Sequence, residues 1–297
     1  MARHNKLELF GRVSADPIIA IDDETNVPCK ASLFLTVVNS DRDSGVGGTE
    51  VIYADPFVFS QDLDIVEKIA TWKAGDIVSI RGVLTTLDAK RGARCPKCGK
   101  KITHDGEVTF VTPIFVELRH HGLSDAEAEK ILLEHREVSN NVNLIGYLCD
   151  DVKMTTKAKA YGDIIGNSAH KGIAAYQIAV NRSFFLNSDN PMTKTDYPHI
   201  IAVGERAEWD ALSIYKGSLV AVEGMLATRR FRKTYHCTNP ECDQGDFDWE
   251  ERVTEVVSYG TEYLNNFSVI SDVESAKESK EKEALDKAQN AISSARA

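Results

Sequence analysis

The chain has 297 residues, of which 42% are hydrophobic and 27% charged, the composition of a soluble globular protein with room for two domain cores. Its net charge of −10 excludes a simple polycation that would bind nucleic acid through its average charge. No apolar run approaches the length of about 18 residues that a membrane span needs, so we expect no membrane contact.

The first half of the chain predicts five strands and one short helix. Apolar patterning indicates strands at residues 7–13, 31–38, 51–59, 76–82 and 108–118. Pro56 interrupts the third strand, which indicates an edge or a bulge. Apolar residues at helical spacing predict a helix over 63–72, between the third and fourth strands. Three strands, a helix and two further strands are the order of an OB-fold barrel.

A helix is also predicted between the two halves. Ser124 is a suitable N-cap, and Glu127 three residues later completes a capping box. We therefore expect a helical linker over 122–140, between a first domain over 1–121 and a second over 141–271. Residues 272–297 are rich in Lys, Glu, Ala and Ser, which predicts a charged helical or disordered tail.

The second half repeats the first at a constant spacing. Three residues recur 142 positions later, namely Gly75, Gly82 and Cys95 as Gly217, Gly224 and Cys237. Strands are predicted at 143–148, 174–180, 197–203, 219–224 and 252–269, with a helix over 207–215. One spacing through strand, turn and cysteine loop indicates two copies of one domain. The predicted fold is mainly β, with two OB-fold barrels in tandem joined by a short helix.

Four of the six cysteines form two short-spaced pairs, Cys95 with Cys98 and Cys237 with Cys242. Because the N-terminus lacks the apolar core of a signal peptide, we expect a cytoplasmic protein, in which disulfides are rare. Each barrel is therefore expected to carry a zinc-knuckle insertion between its fourth and fifth strands. A structural Zn²⁺ site needs four ligands, and each pair supplies two.

Two arrangements complete the zinc coordination. The copies can share one four-cysteine site, or each pair can be completed locally, by His104 in the first copy and by His236 or Asp243 in the second. We favour the shared site, since it needs no unusual ligand and would hold the two barrels together. Unliganded thiols or a redox disulfide are the remaining alternative.

Basic residues cluster in the same two insertions. The predicted nucleic-acid contacts are Lys90, Arg91 and Arg94 in the first copy and Arg229, Arg230, Arg232 and Lys233 in the second. Clustered bases at equivalent places on an acidic chain favour binding to a phosphate backbone. The alternative is a solvated loop whose charges only keep it soluble.

Two ordered motifs stand out in the second copy. Residues 197–208 contain an aromatic, an apolar strand and Gly-x-x-Ala-Glu, and residues 215–231 contain Lys-Gly-Ser, an apolar strand, Glu-Gly-x-Leu-x-Thr-Arg and an aromatic. In these motifs the copy resembles the bacterial single-stranded DNA-binding protein family, over most of residues 141–270. The first copy resembles the family more weakly.

The resemblance implies a barrel that stacks bases on aromatic side chains in a basic groove. It implies stacking roles for Tyr197 and Phe231, and for Tyr53 in the first copy, where the second aromatic place holds Ala89. The alternative for each aromatic is a position in the barrel core. Two tryptophans on the predicted helices, Trp72 and Trp209, are expected in the core.

We therefore predict a non-catalytic protein that coats and protects single-stranded DNA during replication, recombination or repair. None of the phosphate-binding or hydrolase motifs sought in the sequence indicates an enzyme. The alternative is a replication-associated scaffold that docks partner proteins through its barrels and zinc loops. Since the family commonly assembles four barrels and this chain has two, we expect a monomer or homodimer. The expected location is the cytoplasm, in association with the nucleoid, with replication or recombination proteins as further partners.

Overall fold

The computed structural model describes residues 4–39, 51–155, 172–182 and 195–265, so the predicted tail at 272–297 lies outside the described residues. The first half contains these elements: β1 His4–Val13, β2 Ile18–Ile21, β3 Pro28–Asn39, β4 Ile52–Ala54, β5 Phe57–Ser60, α1 Leu63–Ile69, β6 Ile77–Arg94 and β7 Lys101–His120. The third predicted strand is divided at Pro56 into β4 and β5, because proline lacks the N–H that a sheet ladder uses.

The linker and the second half follow the same plan. Their elements are α2 Asp125–Glu134, α3 Arg136–Ser139, β8 Asn140–Leu148, β9 Lys153–Thr155, β10 Ile173–Asn181, β11 Thr195–Asp196, β12 His199–Val203, α4 Glu205–Ser213, β13 Leu219–His236 and β14 Asp246–Asn265. The short strands β2 and β9 were not predicted, and the fourth and fifth strands of each half extend well beyond their predicted ends.

Five strands of each half pair into a closed ring. In the first ring β1 pairs with β3 and β6, β3 with β5, and β6 with β7, and a parallel pairing of β5 with β7 closes the ring. In the second ring β8 pairs with β10 and β13, β10 with β12, and β13 with β14, and the parallel pair is β12 with β14. Alternate residues on the strands point inward and form one continuous core that includes Leu9 and Leu144.

Two long hairpins extend beyond the rings, and we call β6 with β7 the first hairpin and β13 with β14 the second hairpin. Strands β6 and β13 begin and end 142 residues apart, and both hairpins have register shifts at equivalent places. A Cβ at Gly82 or Gly224 would lie 2.3 Å from a backbone carbonyl oxygen of the partner strand. The repeat therefore extends to the irregularities of the strands, where only glycine leaves room for the backbone to approach.

The two rings are joined through their first strands. Strands β1 and β8 pair antiparallel, from His4 opposite Ile145 to Leu9 opposite Asn140. The Asn140 carboxamide exchanges two hydrogen bonds with the backbone of Leu226, at 2.8 and 2.9 Å, and donates a third to Asn39 of the first half at 2.7 Å. Asn5 makes the equivalent bonds to Leu84, both at 2.8 Å, and donates to Asp196 of the second half. These paired buried contacts make the two halves one pseudo-symmetric unit.

The helices lie at the edges of this unit. The capping box predicted at Ser124 and Glu127 is confirmed, and α2 buries Ala128 and Leu132 in a cluster with Phe10 of β1. Trp72 is buried as predicted, with 2% of its surface exposed. The prediction for Trp209 is wrong, because α4 turns Ala207 and Asp210 inward and leaves Trp209 64% exposed on its outer face. No helix within the described ranges is long and apolar enough to cross a membrane.

Candidate nucleic-acid interface and cysteine cluster

The tips of the two hairpins bring the four predicted cysteine ligands together. The Sγ atoms of Cys95 and Cys242 are 3.8 Å apart, those of Cys98 and Cys237 are 3.7 Å apart, and all four lie within 4.8 Å of one another. A tetrahedral site with Zn–S bonds of about 2.3 Å would place its sulfurs about 3.8 Å apart. The donor set and spacing therefore fit one metal ion held jointly by both hairpins.

The surroundings of the thiols also favour one shared cluster over two local sites. Cys95 and Cys237 are buried with Tyr235 and Phe247 in a small apolar cluster between the hairpins. The backbone N–H of Lys100 hydrogen-bonds to the Cys98 thiol and is the main cause that lowers its pKa to about 6, which favours the thiolate that binds metal.

The three residues considered for local sites are engaged elsewhere. His104 contacts Lys233 and Tyr235, His236 contacts Asp246, and Asp243 forms an ion pair with Lys97.

A buried carboxylate holds the hairpins together below the cysteine cluster. Glu251 of the second hairpin accepts a short hydrogen bond from the Tyr235 hydroxyl and forms an ion pair of 3.0 Å with Arg91 of the first hairpin. Its side chain is 5% exposed. Burial, followed by the Glu251 contact, raises the pKa of Tyr235 to about 12, so the hydroxyl remains a donor. Lys233 and His104 also lie within 4 Å of Glu251. We call this arrangement the Glu251 network.

Each hairpin lies against the ring of the other half. Arg230 of the second hairpin forms an ion pair of 3.2 Å with Asp55 of the first half. Glu107 of the first hairpin accepts a hydrogen bond of 3.3 Å from Gln177 and lies 3.8 Å from His199 of the second ring. Burial raises the pKa of Glu107 and lowers that of His199, so burial disfavours the charged form of both groups.

A cleft of about 640 Å³ is enclosed between the two halves, and both rings and both hairpins line it. Its wall on the first half includes Phe34, Asp55 and Phe57, and its wall on the second half includes Gln177 and His199. We call this space the central cleft. It is the place where the outer surfaces of both rings face one another.

Most of the predicted basic contacts are paired with carboxylates inside the protein. The ion pairs are Lys90 with Asp105, Arg91 with Glu251, Arg229 with Glu255, Arg230 with Asp55 and Lys233 with Glu251. Arg94 and Arg232 are exposed. The hairpins therefore carry the predicted bases, but much of this charge is neutralised locally. Contact of these seven residues with nucleic acid remains a prediction.

The predicted aromatics of the second half are accessible. Tyr197 is 43% exposed, and its backbone is held by hydrogen bonds to Thr86 of the first hairpin and from Gln177. Phe231 is half-buried, with the Arg229 guanidinium 5.2 Å from its ring centre. Arg229 is fixed in turn by two hydrogen bonds of 3.0 Å to Glu255.

The strand register changes the alignment of Tyr53. The backbone of Leu35 bonds to Pro56 as that of Ile178 bonds to Pro198, so the residue equivalent to Tyr197 is Asp55. Tyr53 lies two residues earlier, 38% exposed, and donates its hydroxyl to Glu129 of α2 at 3.1 Å. Its stacking role remains a prediction, without the support of that equivalence.

The sequence reading missed an aromatic pair in the central cleft. Phe34 of β3 and Phe57 of β5 stand opposite each other in the ladder, with ring centres 5.1 Å apart. The available signal was Phe57 itself, since it follows Pro56 as His199 follows Pro198. Arg252 of the second hairpin lies above this pair, 6.0 Å from the Phe34 ring centre.

Comparison with known proteins supports the resemblance found in the sequence. Residues 139–239 match the model of the "Single-strand binding protein family". Two solved structures of the single-stranded DNA binding protein from Thermus aquaticus are similar to this fold, at 17% identity in each case. A deletion mutant gives a TM-score of 0.54 and covers 90% of this chain and 97% of its own, and the wild type gives 0.53 with 89% and 95%. A search of curated sequences gives no significant match.

Proposed function

We propose that this chain, whose second half belongs to the single-strand binding protein family, is a non-catalytic protein that coats and protects single-stranded DNA. The observation that carries the proposal is the family match over residues 139–239. The matched segment contains both aromatics that the resemblance assigned to base stacking, and one of them, Tyr197, is 43% exposed.

The two rings are interpreted as OB-fold barrels in tandem. Each has the strand order and the single parallel pairing of the other, and the whole chain aligns with one chain of the Thermus aquaticus protein. Two linked barrels give a longer binding site than one, because the second contact is intramolecular once the first has formed.

The cysteine cluster is proposed to hold one structural Zn²⁺. Cys95, Cys98, Cys237 and Cys242 would supply all four ligands, so that no coordination position is left for catalysis. When bound, the ion would link the two hairpin tips and fix their position over the central cleft. Its contribution is to the shape of the binding surface.

The wider setting is part of the proposal. We place the protein in the cytoplasm with the nucleoid, as a monomer or homodimer that acts in DNA replication, recombination or repair. These assignments follow from the resemblance and from the expected absence of a signal peptide.

A docking scaffold is the second candidate function. Trp209 and Leu212 on α4 are 64% and 70% exposed, and the first half has Glu67 and Ala70 at the equivalent places. Such an apolar pair suits contact with another protein, and the local pairing of most hairpin bases would weaken strand binding. This candidate predicts little affinity for single strands in the full chain.

The stacking prediction can be tested by replacing the two aromatics of the second half. Tyr197→Ala and Phe231→Ala should each weaken binding of the full chain to poly(dT) by about 5- to 150-fold, since one stacked base contributes about 1–3 kcal/mol. Trp209→Ala is the control, because it removes an exposed aromatic from the outer face of α4. Unchanged affinity in both test variants would refute the stacking role.

A further inference from the structure

We infer that Phe34, Phe57 and Arg252 form a composite base-stacking site in which the first ring supplies the aromatic surface and the second hairpin supplies the cation. The ligand is an unpaired base of a single strand together with a phosphate beside it. The inference rests on the proposed function and locates a contact that the family motifs do not include.

The aromatic surface is formed by two neighbouring strands. Phe34 and Phe57 are directly paired, and the residues that follow them, Leu35 and Val58, are fully buried in the core. Since strand side chains alternate between faces, both rings stand on the outer surface of the barrel. Phe34 is 42% exposed, and the two ring planes are tilted by 47°. An exposed aromatic of this size at a cleft wall offers a π-face to any base.

The cation comes from the other half of the chain and leaves this face accessible. Arg252 is exposed and its guanidinium lies 6.0 Å from the Phe34 ring centre, whereas Arg229 lies 5.2 Å from Phe231 and is pinned by Glu255. The Arg252 backbone is fixed, because its carbonyl oxygen accepts a hydrogen bond of 2.5 Å from Arg91. Its side chain can therefore shift to a phosphate while the hairpin stays in place.

The opposite wall of the central cleft lacks both components of this site. Gln177 and His199 occupy the places equivalent to Phe34 and Phe57, and Glu107 of the first hairpin covers them. Burial lowers the pKa of His199, which favours its neutral form. A phosphate would meet a carboxylate on this side and a guanidinium on the other. The strand is therefore expected to pass along the first ring.

The site also accounts for the missing aromatic of the first hairpin. Ala89 and Phe231 are both the thirteenth residue of their strands, β6 and β13, so the first hairpin has no ring to offer. Phe34 and Phe57 provide an aromatic surface on the first ring itself, beneath the second hairpin. Each half then has a stacking surface, built from different residues.

The test measures poly(dT) binding to the full chain at several salt concentrations. The double variant Phe34→Ala/Phe57→Ala should bind about 5- to 150-fold more weakly, and Phe34→Tyr should retain wild-type affinity. Arg252→Ala should reduce the slope of log affinity against log salt by about 0.7, the share of one phosphate contact on a single strand. Gln177→Ala, at the place equivalent to Phe34, is the matched control.

The outcomes separate this inference from the proposed function. If the wild-type chain does not bind poly(dT), the proposed function fails and the composite site fails with it. If the wild type binds, and the double variant and Arg252→Ala match it in affinity and in salt slope, only the composite site is refuted. Urea denaturation of each variant identifies any loss that is due to unfolding, and in that case the Arg252→Ala slope decides.

Discussion

The purified full chain should contain one zinc ion per chain, and the double variant Cys98→Ser/Cys242→Ser should contain none. The substitution removes one ligand from each hairpin and leaves only two thiolates, which is too few for a structural site. Structural zinc contributes about 10–16 kcal/mol to the folding of small zinc-finger peptides. Here the rings have their own core, so the loss should be confined to the hairpin tips. Metal analysis of the dialysed protein measures the content, and hydrogen exchange locates the loosened segment.

The control for this experiment is Cys149→Ser, since this thiol lies outside the cluster. That variant should retain one zinc ion per chain and the wild-type exchange pattern. A wild-type protein with no bound metal would contradict the shared site. Two ions per chain would instead support separate local sites.

The second large effect is expected from Glu251→Ala. This change removes the carboxylate that Arg91 and Tyr235 both contact and leaves a guanidinium in a largely buried position. Breaking a buried ion pair by removing one partner costs about 3–5 kcal/mol. The urea midpoint should fall, and backbone amides of both hairpins should exchange faster.

The neighbouring Glu250 provides the matched control. It is exposed on the opposite face of the same strand, and its replacement by alanine should change the stability by less than about 0.5 kcal/mol. Equal stability losses in the Glu250→Ala and Glu251→Ala variants would mean that the buried network has no special role in joining the hairpins.

The repeat was readable from the sequence because it is a local signal. Gly75, Gly82 and Cys95 each have a partner 142 residues later, and the hairpins that contain them are equivalent to the register shift. The shared cysteine cluster followed from ligand counting, since two pairs of thiols complete one site. The capping box at Ser124 was likewise fixed by residues three positions apart.

What the sequence did not predict depends on contacts between the halves. The Glu251 network arises where the symmetry breaks: Gly106 and Glu251 are each the sixth residue of β7 and β14. A Cβ at Gly106 would lie 2.8 Å from Cδ of Arg91, so glycine there lets the arginine lie across the strand and reach Glu251. No periodic pattern within either copy contains that information.

The aromatic positions show the same limit. Tyr53 was aligned with Tyr197 by chemical type, whereas the ladder places Asp55 there and directs attention to Phe34 and Phe57. Trp209 was expected in the core because large aromatics are usually buried, but its side of α4 faces away from the ring. Both differences depend on strand register or helix orientation, which are set by tertiary packing.

The central claim is most directly tested by titrating the full chain with poly(dT) while following its intrinsic tryptophan and tyrosine fluorescence. The titration is repeated at several salt concentrations and with duplex DNA as a competitor. Our account predicts strong quenching, an affinity that falls steeply with salt, and little competition by the duplex. Absence of both quenching and binding would contradict it and favour a protein-docking role for the barrels.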